Sequence, residues 1–245
     1  MSNIKDLVLE LQNINNNDIT AIKVPSTGKI CKFKSITVKQ HKDIIKCALD
    51  GIEGSIRLNS IFNSIIKENS VEQVAFKLSD RNYILVQLRK ANVGPIIKID
   101  NIEYDLNELP SNVLISTDKS NTLSYQNISV TVEIPTLDFE SQVIERCLAE
   151  ITKTKNETKQ ENDYITTLLT YEMIKFVDTI KIDDTLIDLK QYNINERKSI
   201  LDNIPLKPNN DIIEYIASYK GAEQKNFCFN ENIELTIDAS FLTND

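Results

Sequence analysis

Apolar residues near the N-terminus recur every three or four positions, which is the spacing of an amphipathic helix. Ile4, Leu7, Val8, Leu11 and Ile14 form this pattern. It predicts a short helix, and we interpret the polar residues 12–18 as a spacer that follows it.

The next stretch alternates apolar and charged residues and therefore predicts two short strands. The segment VPSTGK, Val24 to Lys29, joins them and resembles the end of a phosphate-binding loop. That motif requires an earlier glycine where Lys23 stands and a hydroxyl residue where Ile30 stands. The stretch is therefore better explained as a hairpin turn, in which Gly28 supplies a positive φ.

Three helices are predicted after this hairpin. Thr37-Val38-Lys39-Gln40 has the form of a capping box and begins a helix that runs to about Leu49 and ends at Asp50-Gly51. A second helix has Ser55 as its expected cap, and a third runs from Ser79 to Gly94-Pro95. The second helix carries an apolar stripe of Leu58, Ile61, Phe62, Ile65 and Ile66.

Strand patterns follow, and two of them resemble each other. Residues 97–106, IKIDNIEYDL, and residues 180–189, IKIDDTLIDL, are identical at six of ten positions, and each predicts a β-hairpin. The strand-like segments 125–133 and 230–238 also resemble each other. A duplicated α+β unit explains both pairs, with Ile97, Ile99, Ile180 and Ile182 in equivalent cores; convergence of two hairpins is the alternative.

The remaining patterns complete an α+β fold with small antiparallel sheets. Short helices are expected at 195–203 and 211–219, and the polar run 152–162 is either a linker or the middle of a helix from 139 to 176. We divide the chain into residues 1–94 (first hairpin and helices), 95–151 (first strand-rich unit with its following helix) and 152–245 (second α+β unit).

Charge and hydropathy exclude several classes of function. The net charge of −8 argues against a protein that binds duplex nucleic acid, since such a protein needs a basic surface. No apolar run has the length of a membrane span, and the N-terminus lacks a signal-peptide pattern. The spacing of the four cysteines predicts free buried thiols and no metal site.

Candidate catalytic residues are few. His41 is the single histidine, and its neighbours Lys39, Lys42 and Asp43 predict a solvent-exposed position. A histidine base needs a partly buried environment that adjusts its pKa. Adjacent acids such as Asp183 and Asp184 fall in a predicted turn. We therefore expect neither an enzyme nor a cofactor.

The order of these features resembles the T-even (T4-like) phage baseplate hub assembly protein family. The resemblance is carried by VPSTGKICKFKSITVKQHKDII (24–45), YILVQLRKANVG (83–94), PIIKIDNIEYDL (95–106) and NIELTIDASFL (232–242). The chain departs from relatives that carry cysteine pairs, because Cys228 stands alone, so a metal-binding ribbon is not expected.

The resemblance implies a factor that binds other baseplate hub or tail proteins during tail assembly in the host cytoplasm. A permanent subunit of the virion baseplate is the alternative. The sequence leaves the oligomeric state open.

We place the partner-binding surface on Ile4, Leu7, Val8 and Leu11 of the first helix and on Pro25 and Gly28 of the hairpin turn. So short a helix is marginal in water unless its apolar stripe is covered. Either the core of the same chain or a groove of a partner protein would cover it.

Overall fold

The chain forms two compact units in a computed structural model that describes residues 3–109, 121–156, 161–230 and 233–242. The first unit comprises residues 1–113 together with 227–245, and the second comprises residues 114–226. These bounds differ from the three segments 1–94, 95–151 and 152–245, which follow the order of sequence motifs and stay a prediction.

Among its described residues, the first unit combines four helices with three hairpins. Its helices are α1 (Ile4–Asn17), α2 (Val38–Leu49), α3 (Gly51–Asn69) and α4 (Leu78–Asn92). Its strands are β1 (Ile19–Lys23), β2 (Ile30–Lys34), β3 (Ile96–Ile99), β4 (Ile102–Asp105), β9 (Cys228–Asn230) and β10 (Ile233–Glu234). Each successive pair of these strands forms its own two-stranded antiparallel sheet.

Local sequence signals set most of the helix ends in this unit. The Thr37 hydroxyl accepts from the backbone N–H of Gln40, and the Gln40 side chain accepts from the N–H of Thr37, so the predicted capping box is confirmed. Gly51 has φ +60° and reverses the chain between α2 and α3.

Two expectations about helix ends are wrong. Ser55 does not cap α3, because α3 already begins at Gly51 and the Ser55 hydroxyl donates to the carbonyl of that residue. The polar residues 12–17 are the last turns of α1 rather than a spacer, so only Asp18 separates α1 from β1.

The core of the first unit lies between β2, α3 and α4. Phe33 of β2 is fully buried and stacks at 5.6 Å, between ring centroids, on Phe76. Other members of this core are Ile44, Phe62, Ile65, Ile66, Ile84, Leu85 and Leu88. Buried Arg89 donates to the carbonyl oxygens of Phe241 at 2.8 Å and Ile96 at 3.0 Å, which joins the C-terminal segment and β3 to α4.

The part of the second unit that the structure describes contains a four-stranded antiparallel sheet and four helices. Its strands are β5 (Asn121–Tyr125), β6 (Ile128–Val132), β7 (Val177–Ile182) and β8 (Thr185–Asp188), in the order β5-β6-β7-β8. Its helices are α5 (Leu137–Asn156), α6 (Glu161–Phe176), α7 (Ile194–Leu201) and α8 (Leu206–Lys225), with a 3-10 turn at Leu189–Gln191. This architecture confirms the predicted α+β class.

A group of charged residues connects three helices of this unit. Lys175 of α6 lies 3.4 Å from the buried carboxylate of Glu140 on α5 and 2.9 Å from Glu172. Lys220 of α8 approaches Glu172 at 2.7 Å. Buried charges are tolerated when they are paired in this way.

The two similar segments both form hairpins in the same register. Ile97 pairs with Tyr104 in the first hairpin, as Ile180 pairs with Ile187 in the second. In each, the aspartate that ends the hairpin accepts from the backbone N–H two residues later, at 2.8 Å for Asp105 and 2.9 Å for Asp188. The leucines that follow these aspartates, Leu106 and Leu189, are both buried.

The predicted order of the duplication is nevertheless wrong. Strand β6, expected to accompany the first hairpin, pairs with β7 of the second, because the buried residues Val130 and Ile180 face each other there. Strands β9 and β10 belong to the first unit. The isoleucines are not equivalent either, since Ile97 and Ile99 are both half-buried, whereas Ile180 is buried and Ile182 is exposed.

The polar run 152–162 is helical on both sides of residues 157–160, which lie outside the described residues. Both short helices predicted near the C-terminus are present as α7 and α8, and α8 is longer than expected.

Candidate docking surface at the N-terminus

Helix α1 has a well-defined start. The Asn3 side chain accepts from the backbone N–H of Lys5, and the Asp6 carboxylate accepts from the N–H of Asn3. This capping box satisfies amide groups that a helix N-terminus leaves without partners inside the helix.

The apolar stripe of α1 is not covered by the chain. Exposure is 78% for Ile4, 47% for Leu7, 46% for Val8, and 65% for both Leu11 and Ile14. Every other described side chain of this helix is exposed as well. The stripe therefore contributes nothing to the core of the first unit.

The turn between β1 and β2 is held by two backbone hydrogen bonds. Val24 N–H donates to the Lys29 carbonyl, and Gly28 N–H donates to the Val24 carbonyl, both at 2.8 Å. Gly28 has φ +67°, as the sequence predicts. Pro25 is half-buried and Gly28 is exposed.

A buried carboxylate anchors this turn to the start of α4. Asp80 is fully buried and accepts from Ser26 N–H at 2.8 Å, from the Ser26 hydroxyl at 2.7 Å and from Lys77 N–H at 2.8 Å. The same side chain thus fixes the turn and caps α4.

The other end of the hairpin is tied to the last turn of α4. Asn92 accepts from the N–H of Ile36 at 2.8 Å and donates to the carbonyl of Leu88 at 2.7 Å. Between these ties, β2 is supported by the Val71 N–H, which donates to the Lys32 carbonyl at 2.8 Å. Hydrogen bonds to α4 therefore fix the hairpin at both ends. Helix α1 directly precedes this fixed hairpin in the chain.

The environment of the cysteine thiol in this hairpin lowers its reactivity. Cys31 of β2 is buried, and its burial raises the pKa of the thiol, to which the negative charges of Glu72 and Asp80 add. A raised pKa disfavours the thiolate, which is the reactive form.

The predicted site residues are thus brought together only in part. Ile4, Leu7, Val8 and Leu11 share one exposed face of α1, whereas Pro25 and Gly28 belong to the fixed turn. No contact among the described residues tests whether either set binds a partner, so this assignment stays a prediction.

Sequence reasoning missed Asp80. Its signal was present, because Asp80 is the third residue of α4, where an acidic side chain commonly completes a capping box. Its second role, as acceptor for Ser26, depends on a contact across 54 residues that no local pattern reveals.

Within the described residues, no cluster of three or more His, Cys, Asp or Glu side chains is arranged to hold a metal ion. No described helix is both long and apolar enough to cross a membrane. His41 lies half-buried on α2.

Comparison with known proteins identifies a family to which the chain is similar. No curated protein and no solved structure matches the chain. A family described as T4 bacteriophage base plate protein matches residues 16–225, a region that includes the anchored turn and begins near the end of α1. The match covers most of the 245 residues, so the chain belongs to this family of phage baseplate proteins.

Proposed function

We propose that this chain is an assembly factor of the baseplate hub that binds other hub or tail proteins through α1. The observation that carries the proposal is the uncovered apolar stripe of a capped helix. Helix-in-groove recognition uses anchors at this spacing, and Ile4, Leu7, Val8 and Leu11 supply them.

The anchored turn supports the same proposal. Ordering mobile groups at an interface costs part of the free energy that binding gains, so a surface that is already fixed binds more tightly. The Ser26–Asp80 contact holds the turn before any partner arrives. Pro25 and Gly28 would then form the rim of the contact that α1 makes.

Affinity purification of the tagged chain from phage-infected cells tests this function. We expect baseplate hub or tail proteins, identified by mass spectrometry, to be recovered with the full chain. Recovery of host nucleic-acid-binding proteins alone would overturn the proposal.

A permanent structural subunit of the baseplate is the second candidate, and the description of the family as a base plate protein favours it. Peptide mass spectrometry of purified virions separates the two. An assembly factor that acts in the host cytoplasm should be absent or far below stoichiometric amounts, whereas a subunit should be recovered in a fixed ratio to other tail proteins.

A further inference from the structure

Helix α2 carries a second apolar stripe that the chain leaves uncovered. Its inner face, with Ile44 and Cys47, is buried, but Val38, Ile45 and Leu49 on the opposite face are 71%, 42% and 82% exposed. These three residues follow the helical spacing i, i+7 and i+11 and so form one line.

The two uncovered stripes have borders of opposite charge. Lys42 and Lys46, both exposed, lie four residues apart beside the α2 stripe. Asp6 and Glu10, also four residues apart and exposed, lie beside the α1 stripe. Residues four apart are one helical turn apart, so the two acidic residues have the same axial spacing along α1 as the two lysines have along α2.

From these two faces we infer that a second copy of this chain covers them, with α1 of each copy packed along α2 of the other. The apolar stripes would then be buried against each other. The acidic border of α1 would meet the lysines of α2. Charge complementarity of this kind fixes the register of two surfaces more than it adds affinity.

A second copy explains the geometry better than closure within one chain. Asp18 alone separates α1 from β1, and it accepts a hydrogen bond from the Ser35 hydroxyl, which fixes the direction in which α1 leaves the body. Within the single chain both stripes remain exposed. A two-fold dimer would form the α1–α2 contact twice, since an isologous interface repeats each contact.

This inference rests on the proposed function, in which α1 is a docking helix. It adds that a second copy of the chain occupies the α1 stripe in the free protein. The hub protein and the second copy would then compete for the α1 stripe. Self-association needs both α1 and α2, whereas capture of the hub protein through α1 does not need Leu49.

Sedimentation equilibrium of the full chain, compared with its Leu49→Ser variant, tests the inference. We expect the unaltered chain to reach twice its own mass as concentration rises. Leu49→Ser should raise the dimer dissociation constant about tenfold or more, because each contact loses a buried leucine. Leu206→Ser is the matched control, since Leu206 is 74% exposed on α8 of the other unit, and it should leave the dimer unchanged.

A charge exchange tests the antiparallel register, in which Glu10 of α1 faces Lys42 of α2 and Asp6 faces Lys46. Glu10→Lys alone and Lys42→Glu alone should each weaken the dimer, and the double variant should recover most of the loss. Both positions are exposed, and melting temperatures confirm that each variant is folded. A chain that stays monomeric at its highest soluble concentration, or a dimer indifferent to Leu49→Ser, would overturn the inference.

These results separate this inference from the proposed function. A monomeric chain that still recovers baseplate proteins contradicts self-association alone. A dimer that recovers none contradicts the proposed function alone.

Discussion

The Ser26 hydroxyl donates a 2.7 Å hydrogen bond to the carboxylate of Asp80, which lies 54 residues later in the chain. This contact joins the exposed turn of the first hairpin to the buried start of α4. It explains how the turn from Val24 to Lys29, whose sequence resembles the end of a phosphate-binding loop, is held in one conformation.

Asp80→Ala should destabilise the first unit by about 2–4 kcal/mol. The change leaves the backbone N–H groups of Ser26 and Lys77 without their shared acceptor, and hydrogen bonds to a charged group contribute more than neutral ones. Urea unfolding followed by circular dichroism measures the loss.

Asp6→Ala is the matched control, because Asp6 is also the third residue of a helix and also completes a capping box, but it is exposed. It should cost no more than about 1 kcal/mol. Equal losses for Asp6→Ala and Asp80→Ala would show that burial of the Asp80 carboxylate is not what stabilises the turn.

Two glycines inside helices should respond to alanine in opposite directions. A Cβ atom at Gly54 of α3 would collide with the backbone carbonyl of Cys47, so Gly54→Ala should be clearly destabilising because the α2–α3 connection must shift. A Cβ atom at Gly221 of α8 meets open space, so Gly221→Ala should stabilise by up to about 1 kcal/mol. Thermal unfolding of both variants checks the pair, and a Gly54→Ala variant as stable as the unaltered chain would contradict the packing at Gly54.

The charged group in the second unit should make stability depend on pH. Burial alone would raise the pKa of Glu172, but Lys175 and Lys220 outweigh it and lower the pKa below its ordinary value of 4.5. A lowered pKa means that the unfolded chain binds the proton first. The stabilisation is therefore complete above pH 4.5 and is lost as pH falls through the lower pKa of the folded state.

Glu172→Gln should therefore lower the melting temperature at pH 7 and change it little at pH 3. Glu145→Gln, at an exposed position of α5, should leave the melting temperature unchanged at both pH values. A constant effect of Glu172→Gln from pH 7 down to pH 3 would contradict the assignment of the ion pairs to Glu172.

Local patterns were sufficient to predict much of the fold. The capping box at Thr37, the left-handed Gly28 and both IKID hairpins depend on residues close in sequence, and all are confirmed. Alternation along a strand could not reveal which strand is its neighbour. Strands β6 and β7 are separated by more than forty residues, which include α5 and α6. Their pairing is therefore not visible in any local pattern, and this is why the predicted duplication order was wrong.

The candidate docking surface could be predicted only in outline, and its role in binding a partner stays a prediction. Helical spacing identified the stripe of α1 but could not say whether the core covers it, because a core helix has the same spacing. The stripe of α2 was missed for a related reason. Val38, Ile45 and Leu49 read as ordinary members of a helix until the buried face, with Ile44 and Cys47, was seen to be the opposite one.

The central claim is that α1 docks onto another baseplate protein. Removing residues 1–16 tests it most directly, in affinity purification from infected cells together with a melting curve of the purified chain, recorded at a concentration at which the full chain is monomeric. We expect the truncated chain to melt near the temperature of the full chain, because the described side chains of α1 are exposed, and to lose the baseplate proteins that the full chain recovers. A truncated chain that melts early, or that still recovers those proteins, would contradict the claim.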